Sequence, residues 1–306
     1  MQFFSNIVSA GEAAKIKKGF PWWLTVIFSV AAYLIFFIAS LFVGGFASVI
    51  VSLTGNVSNP AELAKSPLMM AIVLLATVFM IAGTILFARV IDKIPLKDLG
   101  LKKDKFAVRY LGGLAAGFIM FSAAVFLAKI LGAADLASST DTELKYIFFM
   151  IPGWIIQGFA EEFLCRGYIM TAVAKRYSAF WGVIINSVMF ALFHGLNTGL
   201  TVLALVNLFL FGLFASVTYL ISENIWFVAA LHSVWNFVQG NFYGIPVSGN
   251  AANPKSTIFI TAFDPDKTFV NGGTFGIEGG ICASVVLTAG IVIAYIIYRK
   301  KHPELK

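Results

Sequence analysis

The chain has 306 residues, of which 59% are hydrophobic, 15% aromatic and only 12% charged, with a mean hydropathy of +0.88. Soluble domains carry roughly 25% charged residues, so this composition excludes a soluble globular protein and indicates an integral membrane one. The net charge of +7 would suit a nucleic-acid binder in another setting, but most lysines and arginines sit in short loops beside apolar runs, where they set topology; no nucleic-acid partner is expected.

Residues 1–18 end in the basic run Lys15-Ile16-Lys17-Lys18 and lack a small-residue cleavage site after a short apolar core, so no cleaved signal peptide is expected. Pro21-Trp22-Trp23 opens a first apolar run to about Leu53, with tryptophans placed for an interfacial belt, and a span needs only about 20 such residues. The polar stretch 55–67 leads to a second span over 68–91, and the densest basic loop, with Lys93, Lys97, Lys102, Lys103, Lys105 and Arg109, reads as cytoplasmic. Further spans are predicted over 110–131, 146–169, 180–196, 198–221, 225–243 and 277–298. Between the last two, residues 244–276 are rich in turn formers and too long for a plain connector, which predicts an ordered extracytoplasmic loop. The expectation is one all-α membrane domain over 1–306, with about eight helices, both termini cytoplasmic, in the cell membrane. Cys165 and Cys282 lie in separate apolar segments and indicate neither a disulfide nor a cysteine-based zinc site.

The costly feature is Gly158-Phe159-Ala160-Glu161-Glu162-Phe163-Leu164-Cys165-Arg166-Gly167, which puts two carboxylates and an arginine inside an apolar run. Central charges cost roughly 2.5–3.5 kcal/mol each on insertion scales and face a bundle interior with a partner. Glu162 and Arg166 are four residues apart on one helix face, with the acid N-terminal to the base, the better orientation for an ion pair. Glu161 is turned by about 100° from Glu162, so the same arginine serves it poorly and one carboxylate stays free for chemistry. Of three histidines, His194 and His232 fall inside predicted spans, and His232 shares a face with Asn236. A lone intramembrane histidine or asparagine is explained by an interhelical hydrogen bond worth under about 2 kcal/mol. Glu161, Glu162, Arg166, His194, His232 and Asn236, drawn from three spans, point instead to a catalytic or transport site.

The ordered set Glu161-Glu162-x-x-x-Arg166, Phe190-x-x-x-His194 and His232-x-x-x-Asn236 resembles the motifs of the CPBP intramembrane protease family, which takes in CAAX prenyl endopeptidases and bacteriocin-processing and abortive-infection proteins. The motifs cover a core of about 146–240. The resemblance implies a helical bundle opening toward the cytoplasm and an endopeptidase acting on a membrane-associated protein or peptide. It further implies that Glu161 polarises a water, His194 positions it, His232 and Asn236 stabilise the oxyanion, and Glu162 with Arg166 forms the supporting ion pair. Phe190 is expected to pack under His194, Asn186 and Asn207 to act as interhelical glue, and Cys165 to take no part as a nucleophile. No His-Glu-x-x-His occurs; a zinc held by Glu161, His194 and His232 and a metal-free activated water use the same residues, and the sequence leaves that choice open. A non-catalytic immunity or scaffold protein of the same fold, or a transporter using the buried charges, is the alternative reading.

Overall fold

All eight predicted apolar segments fold as helices, but their lengths divide them into two classes. The computed structural model describes residues 21–53, 66–222 and 224–301. The Lys15–Lys18 run, most of the polar stretch before Pro67, Glu223 and His302 lie outside the described residues. Among those described, six helices are long and apolar enough to cross a membrane: α1 (Trp22–Leu53), α2 (Pro67–Ile91), α3 (Phe106–Ile130), α4 (Leu144–Arg176), α6 (Val202–Ser222) and α8 (Ile281–Lys301). The other two, α5 (Ala179–Phe193) and α7 (Ile225–Phe237), have 15 and 13 residues. They fall short of full spans because the chain changes geometry at the polar motifs: α5 stops with His194 as its C-cap, and α7 passes into a π-helical turn, Val238–Phe242, just after Asn236.

Local chemistry starts these two helices where the sequence allows. The Ser178 hydroxyl accepts from the Trp181 amide, and the Asn224 side chain accepts from the Trp226 amide, each satisfying a donor that the first turn leaves unpaired. α4 runs as α-helix to Glu162, as π-helix over Phe163–Met170 and as α-helix again to Arg176. Such π segments are frequent at functional sites, and this one begins at the residue after the paired glutamates.

The expectation of an all-α chain needs one correction. Ala134–Ser138 (β1) and Phe259–Phe263 (β2) pair antiparallel, from Ala134 opposite Phe263 to Ser138 opposite Phe259. The segment 244–276, predicted as an ordered loop, supplies β2 and several short 3₁₀ turns. Two five-residue strands lying in polar connections give almost no periodic signal, because their partner is far away in sequence.

α7 runs through the bundle between α3 and α4, while α6 packs on α5 and α8. At the end away from the sheet, the basic loop is tied to the turn before α7: the Ile225 amide donates to Gly100 and the Asn224 side chain to the Lys102 carbonyl. Buried Asp92 there receives Arg176 at 2.6 Å and the Tyr168 hydroxyl at 2.7 Å. Without a hydrophobic force between helices in lipid, close backbone approach is what holds them, and small residues permit it. A Cβ on Gly117 of α3 would overlap the Leu231 carbonyl, and one on Gly158 of α4 would overlap Ser233, so glycines clamp α7 on both sides of His232.

Gly117→Ala should therefore lower the amount of folded protein in the membrane fraction, since overpacking a tight interface costs typically 1–3 kcal/mol. Gly112→Ala, whose Cβ would meet only the Phe227 ring at 3.6 Å, should leave it unchanged. Quantitative blotting of detergent extracts checks the pair; equal abundance of both variants would contradict the clamp.

Candidate active site

Glu162 and Arg166 are both fully buried, their side chains 0% exposed, and Arg166 Nη1 lies 3.0 Å from Glu162 Oε1. The same oxygen accepts from His232 Nδ1 at 2.8 Å, so one carboxylate holds a cation on its own helix and a histidine on α7. Arg166 also donates to the Gly212 carbonyl of α6 at 3.2 Å and stands 4.7 Å over the Phe190 ring of α5. Four helices thus converge on one ion pair. An oxygen accepting from arginine is a carboxylate oxygen, so His232 Nδ1 carries its proton and Nε2 is the nitrogen left for other work.

That nitrogen lies 3.8 Å from Glu161 Oε2. Glu161 differs from its neighbour in both respects that matter to a base: its side chain is 19% exposed, and its partner is neutral, the Gln157 amide donating to Oε1 at 2.6 Å. Gln157 in turn accepts from Asn236 Nδ2 at 3.0 Å. An amide thus links Glu161 on α4 to Asn236 on α7, with the second N–H of Asn236 still free for a substrate oxygen.

Phe190 packs under His194, as expected, with centroids 4.9 Å apart, and it also meets Phe211 at 5.5 Å and His232 at 5.8 Å. His194 Nδ1 is 2.8 Å from the Phe190 carbonyl, which can only accept, so Nδ1 donates and Nε2 is bare in the neutral ring. Tyr33 of α1 steadies this helix end by stacking on Phe193 at 4.6 Å and donating to its carbonyl at 3.0 Å. His194, His232 and Asn236 line one cavity of about 20 Å³, room for a single water, together with Asn207, Ser248 and Glu278. Glu161 approaches His232 rather than His194, with which it makes no hydrogen bond or ion pair among the described residues. Asn186 bridges α5 to Ser216 of α6 at 3.1 Å, as interhelical glue, and Cys165 is buried.

Residues 143–238 match the family described as type II CAAX prenyl endopeptidase, Rce1-like. No curated protein matches the chain. The Rce1-like match spans all six candidate residues, and because that family is one of membrane proteases it supports a hydrolase. It stops before Ser248 and Glu278.

His232 and His194 each spend Nδ1 on an acceptor, an arrangement that leaves both Nε2 atoms for a metal or for a proton alike. Among the described residues, however, no group of three His, Cys, Asp or Glu side chains is gathered closely enough to hold a zinc, so Glu161, His194 and His232 do not form its ligand set in this arrangement. Three polar residues at the candidate site, Gln157, Ser248 and Glu278, were not singled out in the sequence. Gln157 had a legible signal, four residues before Glu161 on one helix face. Glu278 did too, as a lone carboxylate in the opening turn of the predicted last span.

Arg166→Ala should leave a buried carboxylate without its cation, which typically costs about 3–5 kcal/mol. Expression in the membrane and thermal stability in detergent should both fall. Wild-type levels of each would contradict a supporting ion pair.

Proposed function

We propose that the chain is an intramembrane endopeptidase in which Glu161 activates a water for attack on a peptide bond of a membrane-associated protein or peptide. One observation carries this: of two adjacent glutamates, one is sealed and paired with an arginine, while the other is partly open, accepts from a neutral amide and has the His232 imidazole 3.8 Å away in place of a permanent cation. A carboxylate in a low-dielectric setting without an arginine or lysine beside it is suited to accept a proton.

In this reading the residues take the following steps. Glu161 takes one proton from the water as the water oxygen bonds to the carbonyl carbon, and His194 Nε2 accepts a hydrogen bond from the other O–H, which orients the attack. The carbonyl oxygen becomes an oxyanion facing His232 and Asn236. Because His232 Nδ1–H is committed to Glu162, Nε2 can donate only from the imidazolium form, so His232 acts as a cation and the Glu162 carboxylate is what stabilises it. The tetrahedral species then loses the C–N bond, and the proton on Glu161 passes to the leaving amine. Asn236 supplies the second donor, aimed by Gln157.

The family match supports a CAAX-type substrate, and the basic end of the bundle, from Lys93 to Lys105, supports an orientation with that end in the cytoplasm of a cell-membrane protein. A scaffold or transporter of the same fold differs in not cleaving anything.

Glu161→Gln keeps volume and hydrogen bonding but cannot take a proton, so cleavage of a quenched S-farnesylated CAAX peptide by reconstituted protein should fall by about 10²–10⁴-fold with abundance unchanged. Cys165→Ser should cleave at the wild-type rate. Normal turnover in the Glu161→Gln variant, or none in the Cys165→Ser variant, would overturn the assignment.

A further inference from the structure

Glu278 is a buried carboxylate that the reaction above does not use, and it lies beyond the matched segment, in the turn leading into α8. Its Oε1 accepts twice from Ser248, from the amide N–H and from the hydroxyl, both at 2.5 Å. Ser248 has φ 45°, one of three non-glycine residues with a positive φ among those described. A serine stays in that region only where its surroundings over-determine it, and such residues gather at functional sites.

The hydrogen bonds continue from Ser248 to the catalytic loop. Its carbonyl accepts from Asn197 Nδ2 at 2.9 Å, and the Asn197 amide donates to the His194 carbonyl at 3.0 Å. On the other side Glu278 is fixed in turn, since Asn207 of α6 donates to its carbonyl and to that of Gly280, both at 2.8 Å. The carboxylate is thus the fixed end of a short chain that runs through Ser248 and Asn197 to the backbone of His194. Glu278 and His194 also line the same water-sized cavity, so a shift of one wall alters the space in front of the other.

We propose that Glu278 is a positioning residue for His194, acting through Ser248 and Asn197, so that the working site extends past the family segment to the start of the last helix. Its effect on turnover rests on the endopeptidase reading; its effect on the loop does not. A side chain that holds a reacting group in place is felt in turnover more than in binding, and a misplacement near 1 Å can cost about 10²-fold.

The test compares Glu278→Ala with Glu278→Gln in the full-length protein in nanodiscs, by hydrogen–deuterium exchange and by cleavage of the S-farnesylated CAAX peptide. Glu278→Ala should raise exchange in peptides covering 194–201 and 247–250 by about 10-fold or more while leaving α4 protected. Its kcat should fall by about 10–10²-fold with KM within about twofold of wild type. Glu278→Gln, which keeps an acceptor for Ser248, should restore both protection and kcat. Unchanged exchange at 194–201 in Glu278→Ala would overturn the proposal, as would exchange raised throughout the protein or a Gln variant as loose as the Ala one. If wild type cleaves nothing, the endopeptidase reading fails while the exchange result still decides the role of Glu278.

Discussion

A carboxylate sealed in an apolar bundle is tolerable only if a cation and further donors reach it, and Glu162 meets that condition through Arg166 and His232 on one oxygen. The requirement fixes more than the pair. Arg166 must stand over the Phe190 ring and reach the Gly212 carbonyl, which sets α5 and α6, while His232 must face α4, which sets the rotation of α7. Broken, the pair would leave a buried charge. Replacing both partners with apolar groups of similar volume is often neutral for stability, but His232 would then lose the anion that favours its charged form. The ion pair is thus better understood as a device for holding the histidine than as a source of stability.

In the reaction we propose, the division of labour follows from that placement. With Glu162 occupied, Glu161 is the carboxylate that this proposal leaves to act as base, and the Gln157 amide donates to it without bringing a charge. Phe190 gives the arginine and both histidines a common platform. Glycines at 117 and 158 let the neighbouring helices come close enough for these short side chains to meet. From the segment that follows α7, Ser248 and Glu278 complete the wall of the cavity.

Much of this was legible in the sequence, because charge inside an apolar run is rare and each instance demands a partner. The Glu162–Arg166 spacing, the shared face of His232 and Asn236 and the seat of Phe190 under His194 all follow from helix geometry and appear in the structure. The pairing of Glu161 with His194 does not, since which of two histidines a carboxylate meets depends on helix rotation that one sequence does not encode locally. The two strands and the link from Glu278 to Ser248 were hidden for a related reason: their partners are 30 or more residues apart in polar connections without period. Counting eight spans overlooked that α5 and α7 end at the site they serve.

The protonation of His232 tests this arrangement most directly. Nitrogen-15 spectra of histidine-labelled protein, with His232 assigned by the signal lost in His232→Asn, report which ring nitrogen carries hydrogen. A protonated Nδ1 that changes on Glu162→Gln is the predicted result; a bare Nδ1 in the wild-type protein would contradict the role given to Glu162.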